Sequence, residues 1–370
     1  MKTAKSIFKL FRWIISILIV LFALSTFMWK NYDQTLVLIL ISTLLIYWPK
    51  SIKKSLTAIQ SDGLRIALII LLILLKVSVF KSEPKSSIYT SEANKAEVMA
   101  AYDENMKRWP KDTKDIYIDT EFGSVHVLEC GKKENPPLVM LHAASMGAHS
   151  WAENLPPLLD NYHIFSIDNP GEGNKSELGN VLLFPSSPEE IAGFYASLFD
   201  SLSIETAIVF GASNGGSIAQ SLAYYHPEKV SKLALFGPMG LTQLTSGSIA
   251  MMGLATIYPF QFLRDEVADW ALGTSPQCHS AYDRWFNSIL KGTIPSIAQP
   301  VPMTTNQKQS MKLPILLFLG SKDKIVEDVI NAKQTAMEYP NIQIEVLESG
   351  HLIAVEKSKI VNEKIQSFLD

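Results

Sequence analysis

A serine, an aspartate and a histidine occur along the second half of this chain in an order and setting that suit nucleophilic catalysis. Ser213 stands at the centre of the sequence GASNG, Asp323 ends the sequence GSKD, and His351 ends the sequence SGH. A serine hydroxyl is a weak nucleophile unless a base removes its proton, and a histidine oriented by a carboxylate is such a base. We therefore predict Ser213 as nucleophile, His351 as general base and then general acid, and Asp323 as the group that orients the imidazole. The alternatives are structural: a turn without chemistry at the serine, and helix caps at the other two residues.

Each of these residues follows an apolar run of strand length. The runs are 207–210, 315–319 and 342–347. After Ser213, small and apolar residues continue at helical spacing, so the serine is predicted to lie on a sharp turn from strand to helix. The glycines on either side suit such a turn, because neighbouring chain passes too close for side chains there. Ligands bind beyond the carboxyl ends of the strands in parallel sheets, so we expect the three residues to meet at one edge of a sheet.

Similar apolar runs recur through residues 113–370 and alternate with helical stretches. The eight runs are 116–118, 125–128, 138–141, 164–167, 207–210, 233–236, 315–319 and 342–347. The first two flank a turn sequence and predict a hairpin. The continuous apolar runs between helices predict a mostly parallel sheet with helices on both faces. The predicted fold class is therefore α/β, with an eight-stranded sheet.

Two further loops of small residues follow predicted strands. The loop His142-Ala143-Ala144 follows the run 138–141, and the turn DNPGEG at 168–173 follows the run 164–167. Together with the sequences around the predicted nucleophile, acid and base, they make five motifs in order. These motifs resemble those of the α/β-hydrolase superfamily, in its serine branch. The resemblance covers the chain from about residue 115 to the end and leaves the N-terminal residues outside it.

The resemblance implies an oxyanion hole built from backbone N–H groups. Asn214, directly after the predicted nucleophile, would give one donor and Ala144 the other, with Ala143 as second choice. Ala143 stands where the family usually has glycine, and Glu172 stands where it often has a basic residue or histidine. We interpret Glu172 as a tolerated variation of its turn. His142 is expected to bond to backbone within its own loop.

The segment 237–312 interrupts the strand pattern and resembles the helical cap that the family places over its site. It is apolar and partly helical, and Met239 is the residue that we place near the substrate pocket. The sequence has no glycine-rich phosphate loop and no metal-ligand spacing, so no cofactor and no metal is expected. Cys130 and Cys278 fit no zinc or redox spacing and are expected to be free, buried thiols, with a disulfide as the alternative in an oxidising compartment.

The first 80 residues are far more apolar than the rest and predict a transmembrane region of two or three helices. The run at 11–28 has spanning length and the run at 64–80 is near the minimum spanning length, whereas the run at 35–48 is short and could instead be re-entrant or interfacial. A cleaved signal peptide fits less well, because the first run ends in Trp29-Lys30 rather than in small residues.

The basic residues predict how these helices are oriented. They cluster before the first run and in the connection between the second and third runs, and positive charge favours the cytoplasmic side. Three spans would place the catalytic domain outside the cytoplasm, which is the arrangement we predict, and two spans would leave it inside. Residues 81–112 are predicted to be a linker that packs loosely against the domain, with a helical patch at 93–109. Residues 113–370 are predicted to be the hydrolase domain.

These residues and the resemblance predict a serine hydrolase in the cell membrane. It would cleave an ester, a thioester or a lactone through an acyl-enzyme. The same triad also supports acyl transfer or hydrolysis of a carbon–carbon bond, and the fold without chemistry would be a membrane-tethered binding protein. Membrane proximity favours a small, lipid-like acyl substrate. The net charge of −3 gives no reason to expect nucleic acid as a partner, and the sequence leaves the substrate and the oligomeric state open.

Overall fold

The computed structural model describes residues 87–179, 184–241, 261–273, 275–294, 296, 300–325 and 329–370. One β-sheet lies at the centre of this part of the chain. Its strands are β1 (Lys114–Thr120), β2 (Gly123–Gly131), β3 (Pro137–Leu141), β4 (His163–Ile167), β5 (Glu177–Leu178), β6 (Ala207–Ala212), β7 (Val230–Phe236), β8 (Ile315–Gly320) and β9 (Ile342–Leu347). They include all eight strands predicted from the sequence. The additional strand, β5, has two residues and pairs with β2.

The main path across the sheet has the order β1-β2-β4-β3-β6-β7-β8-β9. β1 and β2 form the predicted antiparallel hairpin, and β2 also pairs antiparallel with β4. Every pairing from β4 to β9 along this path is parallel. The prediction of a mostly parallel sheet is therefore confirmed. Because parallel strands end at the same edge, the loops after β3, β4, β6, β8 and β9 lie on one side of the molecule.

Both faces of the sheet are buried, which explains the uninterrupted apolar runs in its central strands. In β3, Val139 and Leu141 belong to one buried cluster, and Leu138 and Met140 belong to another. Successive side chains of a strand point to opposite faces. A strand that is covered on both faces therefore carries apolar residues at every position.

Helices cover the sheet and its carboxyl edge. They are α1 (Glu92–Met106), α2 (Pro188–Ser201), α3 (Asn214–Tyr225), α4 (Gln261–Leu272), α5 (Pro276–Gly292), α6 (Thr305–Ser310), α7 (Val329–Ala336), α8 (Ile353–Glu356) and α9 (Ser358–Leu369), and 3₁₀ helices span Ala148–Asn154 and Pro227–Lys229. α4 and α5 lie within the predicted cap segment 237–312. Residues 242–260 of that segment lie outside the described residues.

Helix α1 packs against the cap helix α5. Val98 and Tyr102 of α1 are fully buried in one apolar cluster with Tyr282 and Trp285 of α5. Arg284 of α5 also forms ion pairs with two glutamates of α1. This helix lies in the segment predicted to be a loosely packed linker, so that part of the segment is instead part of the folded domain. Its packing is hard to read from sequence, because only four of its 15 residues are buried.

The predicted membrane-spanning runs at 11–28, 35–48 and 64–80 lie outside the described residues. Within the described ranges, no helix is both long enough and apolar enough to cross a membrane. Contacts between residues group Pro84–Asp370 as one compact unit, which contains every predicted site residue.

Candidate active site

Ser213 lies at the tight turn where β6 ends and α3 begins. Its backbone has φ +48° and ψ −113°, a conformation that a residue other than glycine adopts only when the surrounding structure holds it there. A Cβ at Gly211 would lie 2.6 Å from the carbonyl oxygen of Gly215, and a Cβ at Gly215 would lie 2.2 Å from that of Leu141. Neither position therefore has room for a side chain, because the backbone of another segment passes close to it, as the sequence indicated.

His351 and Asp323 form a hydrogen-bonded pair beyond the ends of β9 and β8. Nδ1 of His351 lies 2.7 Å from Oδ2 of Asp323, and Oδ1 of the aspartate accepts the backbone N–H of Ile325 at 2.9 Å. Burial by itself would lower the pKa of His351, but the charge of Asp323 and the hydrogen bond to it outweigh burial, so the pKa is raised. The carboxylate favours a proton on Nδ1, which leaves Nε2 as the basic nitrogen.

Ser213 and His351 line the same pocket. Most of its walls are apolar and include Met146, Phe236 and Val355. The structure thus brings together the three residues that the sequence singled out, because His351 is bonded to the aspartate and shares a pocket with the serine. An apolar pocket excludes water, which strengthens the electrostatic interactions inside it.

The loop after β3 carries one half of the predicted oxyanion hole. Ala143 lines the pocket of Ser213, and its neighbour Ala144 is half-buried. The loop residue with a positive φ is Ser145, at +61°, and Ala143 has no positive φ. Alanine in place of the usual glycine is therefore compatible with this loop. Asn214, which carries the other predicted donor, is buried at the first position of α3.

Two curated proteins that are similar to this chain are carboxylesterases by name. The chain is 27% identical over 305 residues to the protein named uncharacterized carboxylesterase nap of Bacillus subtilis (strain 168), a match that covers 78% of this chain and 97% of that protein. It is 25% identical over 285 residues to carboxylesterase YbfK of the same strain, which covers 73% of this chain and 92% of that protein.

A family model and a solved structure agree with the observed fold. The family model described as alpha/beta hydrolase fold matches residues 136–265. The crystal structure of naproxen esterase from Bacillus subtilis superposes with a TM-score of 0.69 and 26% identity, over 76% of this chain and 99% of that one. The chain has the α/β-hydrolase fold. Its fold and its relatives together make it a hydrolase that resembles the carboxylic ester hydrolases.

His142 holds the loop of the predicted oxyanion hole against the neighbouring turn. Its Nδ1 lies 2.8 Å from the carbonyl oxygen of Ala143, and its Nε2 accepts the backbone N–H of Asn169 at 2.8 Å. Because Nε2 accepts a hydrogen bond, the proton lies on Nδ1 and is donated to Ala143. Burial lowers the pKa of His142, which keeps the ring neutral. These contacts agree with the structural role expected for His142.

Glu172 lies beside both segments of the predicted oxyanion hole. The residue is 1% exposed. One of its oxygens accepts the backbone N–H of Ser145 at 3.0 Å, and the other accepts the side-chain amide of Asn214 at 2.9 Å. Burial raises the pKa of Glu172 to about 8. The interpretation of this residue as a tolerated variation of its turn missed these contacts. The available signal was an acidic residue in a six-residue turn at the end of a buried strand.

Met239 contacts Ser213 through its backbone. Its N–H donates to the carbonyl oxygen of Ser213 at 2.9 Å, which fixes the loop after β7 against the nucleophile turn. The half-buried side chain is not among those that line the pocket of Ser213. Met239, which was predicted to lie near the substrate pocket, thus contacts the nucleophile turn through its backbone, while its side chain is not part of the pocket lining.

The described residues offer no metal centre. No group of three or more histidine, cysteine, aspartate or glutamate side chains among them is arranged to hold a metal ion. Cys130 and Cys278 are free and buried, as the sequence predicted. Burial raises the pKa of each thiol to about 12, so neither is a nucleophile at neutral pH.

Proposed function

We propose that this α/β-hydrolase cleaves carboxylic esters, or the related thioesters and lactones, through an acyl-enzyme on Ser213. The observation that carries the proposal is the arrangement at the carboxyl edge of the sheet. Ser213, on a strained turn, shares an apolar pocket with His351, and His351 is bonded to Asp323. The names of the similar carboxylesterases favour esters among these substrates.

In the first half of the proposed reaction, Nε2 of His351 takes the proton of Ser213 Oγ as that oxygen attacks the carbonyl carbon. The carbonyl oxygen becomes an oxyanion, which the backbone N–H groups of Asn214 and of Ala144 or Ala143 would stabilise. The protonated imidazole then gives its proton to the leaving alkoxide, and the acyl group stays on Ser213. In the second half, a water that loses its proton to His351 attacks the acyl carbon. His351 then returns that proton to Oγ of Ser213 as the bond between the acyl carbon and Oγ breaks, and the acid is released.

Ser213→Ala tests the proposal. With p-nitrophenyl butyrate as substrate, we expect kcat to fall by about 10⁶-fold, because the remaining groups have no nucleophile to activate. The matched control is Ser217→Ala, which removes a hydroxyl from the first turn of α3 and is expected to keep wild-type turnover. A Ser213→Ala enzyme that hydrolyses the ester as fast as wild type would overturn the proposal.

The apolar walls of the pocket favour an apolar acyl group. Each methylene that enters such a pocket contributes about 0.8 kcal/mol, or roughly a fourfold gain in kcat/KM, until the pocket is filled. We expect kcat/KM to rise along a series of p-nitrophenyl esters from acetate to longer chains and then to level off. A series that falls from acetate onwards would contradict an apolar acyl site.

We also propose that residues 1–80 anchor the enzyme in the cell membrane as a multi-pass region, with the catalytic domain on the extracytoplasmic side. The apolar runs and the distribution of basic residues support this arrangement. Ser82→Cys is expected to react with a membrane-impermeant maleimide in intact cells. The background is low because Cys130 and Cys278 are buried. Labelling only after lysis would refute the orientation, and recovery of the full chain in the soluble fraction would refute the anchor.

A further inference from the structure

The two predicted oxyanion donors lie on separate segments of the chain, and one carboxyl group accepts a hydrogen bond from each segment. Ala144 is in the loop after β3, and Asn214 begins α3. Glu172, in the turn after β4, accepts the backbone N–H of Ser145 at 3.0 Å and the side-chain amide of Asn214 at 2.9 Å. Ser145 directly follows Ala144 and has φ +61°, so the loop is held in an unfavoured conformation at the point where this carboxyl group binds it.

The surroundings of Glu172 favour its neutral form. The residue is almost fully buried, and burial raises its pKa to about 8, although the hydrogen bonds from Asn214, Ser145 and Asn169 act in the opposite direction. Asp168, in the same turn, adds a repulsive charge. His142, from the loop after β3, lies 3.8 Å away, measured from its Nδ1 to Oε2 of Glu172, but its Nδ1 proton is committed to a backbone carbonyl. Tyr195 of α2 donates its hydroxyl to Asn169 at 2.9 Å rather than to the carboxyl group.

We propose that Glu172 is a positioning residue. As a neutral acid, it holds the oxyanion loop and the start of α3 in the relative positions that the two oxyanion donors need. This inference rests on the proposed hydrolase function. Loss of the proton would leave the two hydrogen bonds in place but would put a negative charge next to the N–H groups that stabilise the oxyanion. In a buried site that charge would oppose the charge that develops in the transition state.

Two substitutions at Glu172 distinguish the effect of its hydrogen bonds from the effect of its charge. Glu172→Gln keeps the length and polarity of the side chain and cannot ionise, whereas Glu172→Ala removes the contacts with both segments. Glu129→Gln is the matched control, since Glu129 is also buried but bonds to His163 on a neighbouring strand. The experiment measures kcat and KM for p-nitrophenyl butyrate from pH 5.5 to 10, with the released proton followed by pH-stat and the full chain used throughout.

The wild type is expected to lose kcat as the pH rises, with a midpoint near 8. The Glu172→Gln enzyme should match the wild-type kcat at pH 7 within about threefold and lose the alkaline decline. The Glu172→Ala enzyme should show a kcat about 10-fold to 100-fold lower with KM within about threefold, a smaller effect than the loss of a whole oxyanion donor. The Glu129→Gln control should keep the wild-type profile.

Two results would overturn the positioning role: wild-type kcat in the Glu172→Ala enzyme, or a wild-type alkaline decline in the Glu172→Gln enzyme. If Glu172→Ala fails to fold, the pH profile of Glu172→Gln still tests the positioning role. Failure of the proposed function looks different, because the wild type would then turn over no faster than Ser213→Ala at any pH. In that case the role inferred for Glu172 falls with the function on which it rests.

Discussion

The carboxylate of Asp323 affects His351 in two ways. Its hydrogen bond to Nδ1, at 2.7 Å, fixes which ring nitrogen carries the proton, and its charge stabilises the imidazolium and so raises the pKa of the ring. A general base works only in its neutral form. We therefore expect kcat/KM to increase with pH as His351 loses its proton, with a midpoint above the ordinary value of 6.5.

Asp323→Asn is expected to lower kcat by about 10³-fold to 10⁴-fold, because an amide can donate to Nδ1 and stabilise the wrong tautomer. The midpoint of the acid limb should also move to lower pH, because the charge that stabilises the imidazolium is gone. Asp119→Asn, on the exposed strand β1, is the control and should change neither value. An Asp323→Asn enzyme with an unchanged pH profile would show that this carboxylate does not act on His351.

The proposed catalytic residues could be singled out from the sequence because each stands in a short, recognisable sequence of its own. Ser213 has glycines on both sides, and Asp323 and His351 each follow an apolar run and a glycine. The local signal for Glu172, an acidic residue in the turn after a buried strand, does not indicate which residues it contacts. Its partners Ser145 and Asn214 are 27 and 42 positions away along the chain. Only the folded sheet brings them together, so its contacts could not be read from the sequence.

At the scale of elements, the nucleophile turn depends on how closely α3 approaches β3. A Cβ on Gly215 would lie 2.2 Å from the carbonyl oxygen of Leu141 and 2.5 Å from that of His142. Both are backbone atoms, which cannot move aside without shifting the strand end or the oxyanion loop. The position of α3 and the shape of the oxyanion loop are therefore set by the same contact.

Gly215→Ala is expected to destabilise the fold by about 1–3 kcal/mol through overpacking and to lower kcat by at least 100-fold through displacement of α3. The control is Gly193→Ala in the interior of α2, where an added Cβ meets nothing within 4 Å. There alanine should increase the free energy of unfolding by about 0.5–1 kcal/mol. Urea unfolding and kcat of both variants test this contrast. Equal stability of the two variants would contradict the packing argument.

Helix α1 could be predicted from the sequence, but the helix against which it packs could not. The sequence predicts a helix at 93–109, close to the observed Glu92–Met106. Its packing depends on Tyr102, which lies edge-on to Trp285 of α5 with ring centroids 5.8 Å apart. These two residues are 183 positions apart in the sequence, and a helix with nearly equal numbers of polar and apolar residues gives no sign of which neighbour it will contact.

At the scale of the whole molecule, the sheet order brings the site together. β3 lies between β4 and β6, so the loops that carry Ala144, Glu172 and Ser213 are neighbours. The strand pattern predicts a parallel sheet, but it does not by itself fix this order. All of these residues lie within the compact unit Pro84–Asp370.

A chain that begins at Pro84 is expected to hydrolyse p-nitrophenyl butyrate with a kcat within about threefold of the full chain. The reason is that the compact unit Pro84–Asp370 contains every group of the proposed mechanism. It also contains helix α1, which packs against the cap helix α5. The full chain in detergent is the reference. A truncated chain that folds, as judged by a cooperative thermal transition, but lacks turnover would show that residues 1–83 contribute to the site.

The central claim is that Ser213 forms the covalent bond, and mass spectrometry after reaction with a fluorophosphonate tests it directly. We predict one adduct per chain, on the peptide that contains Ser213, with no adduct in Ser213→Ala and a much slower reaction in His351→Ala, which lacks the base. An adduct on another serine, or the same extent of labelling in Ser213→Ala, would contradict the account.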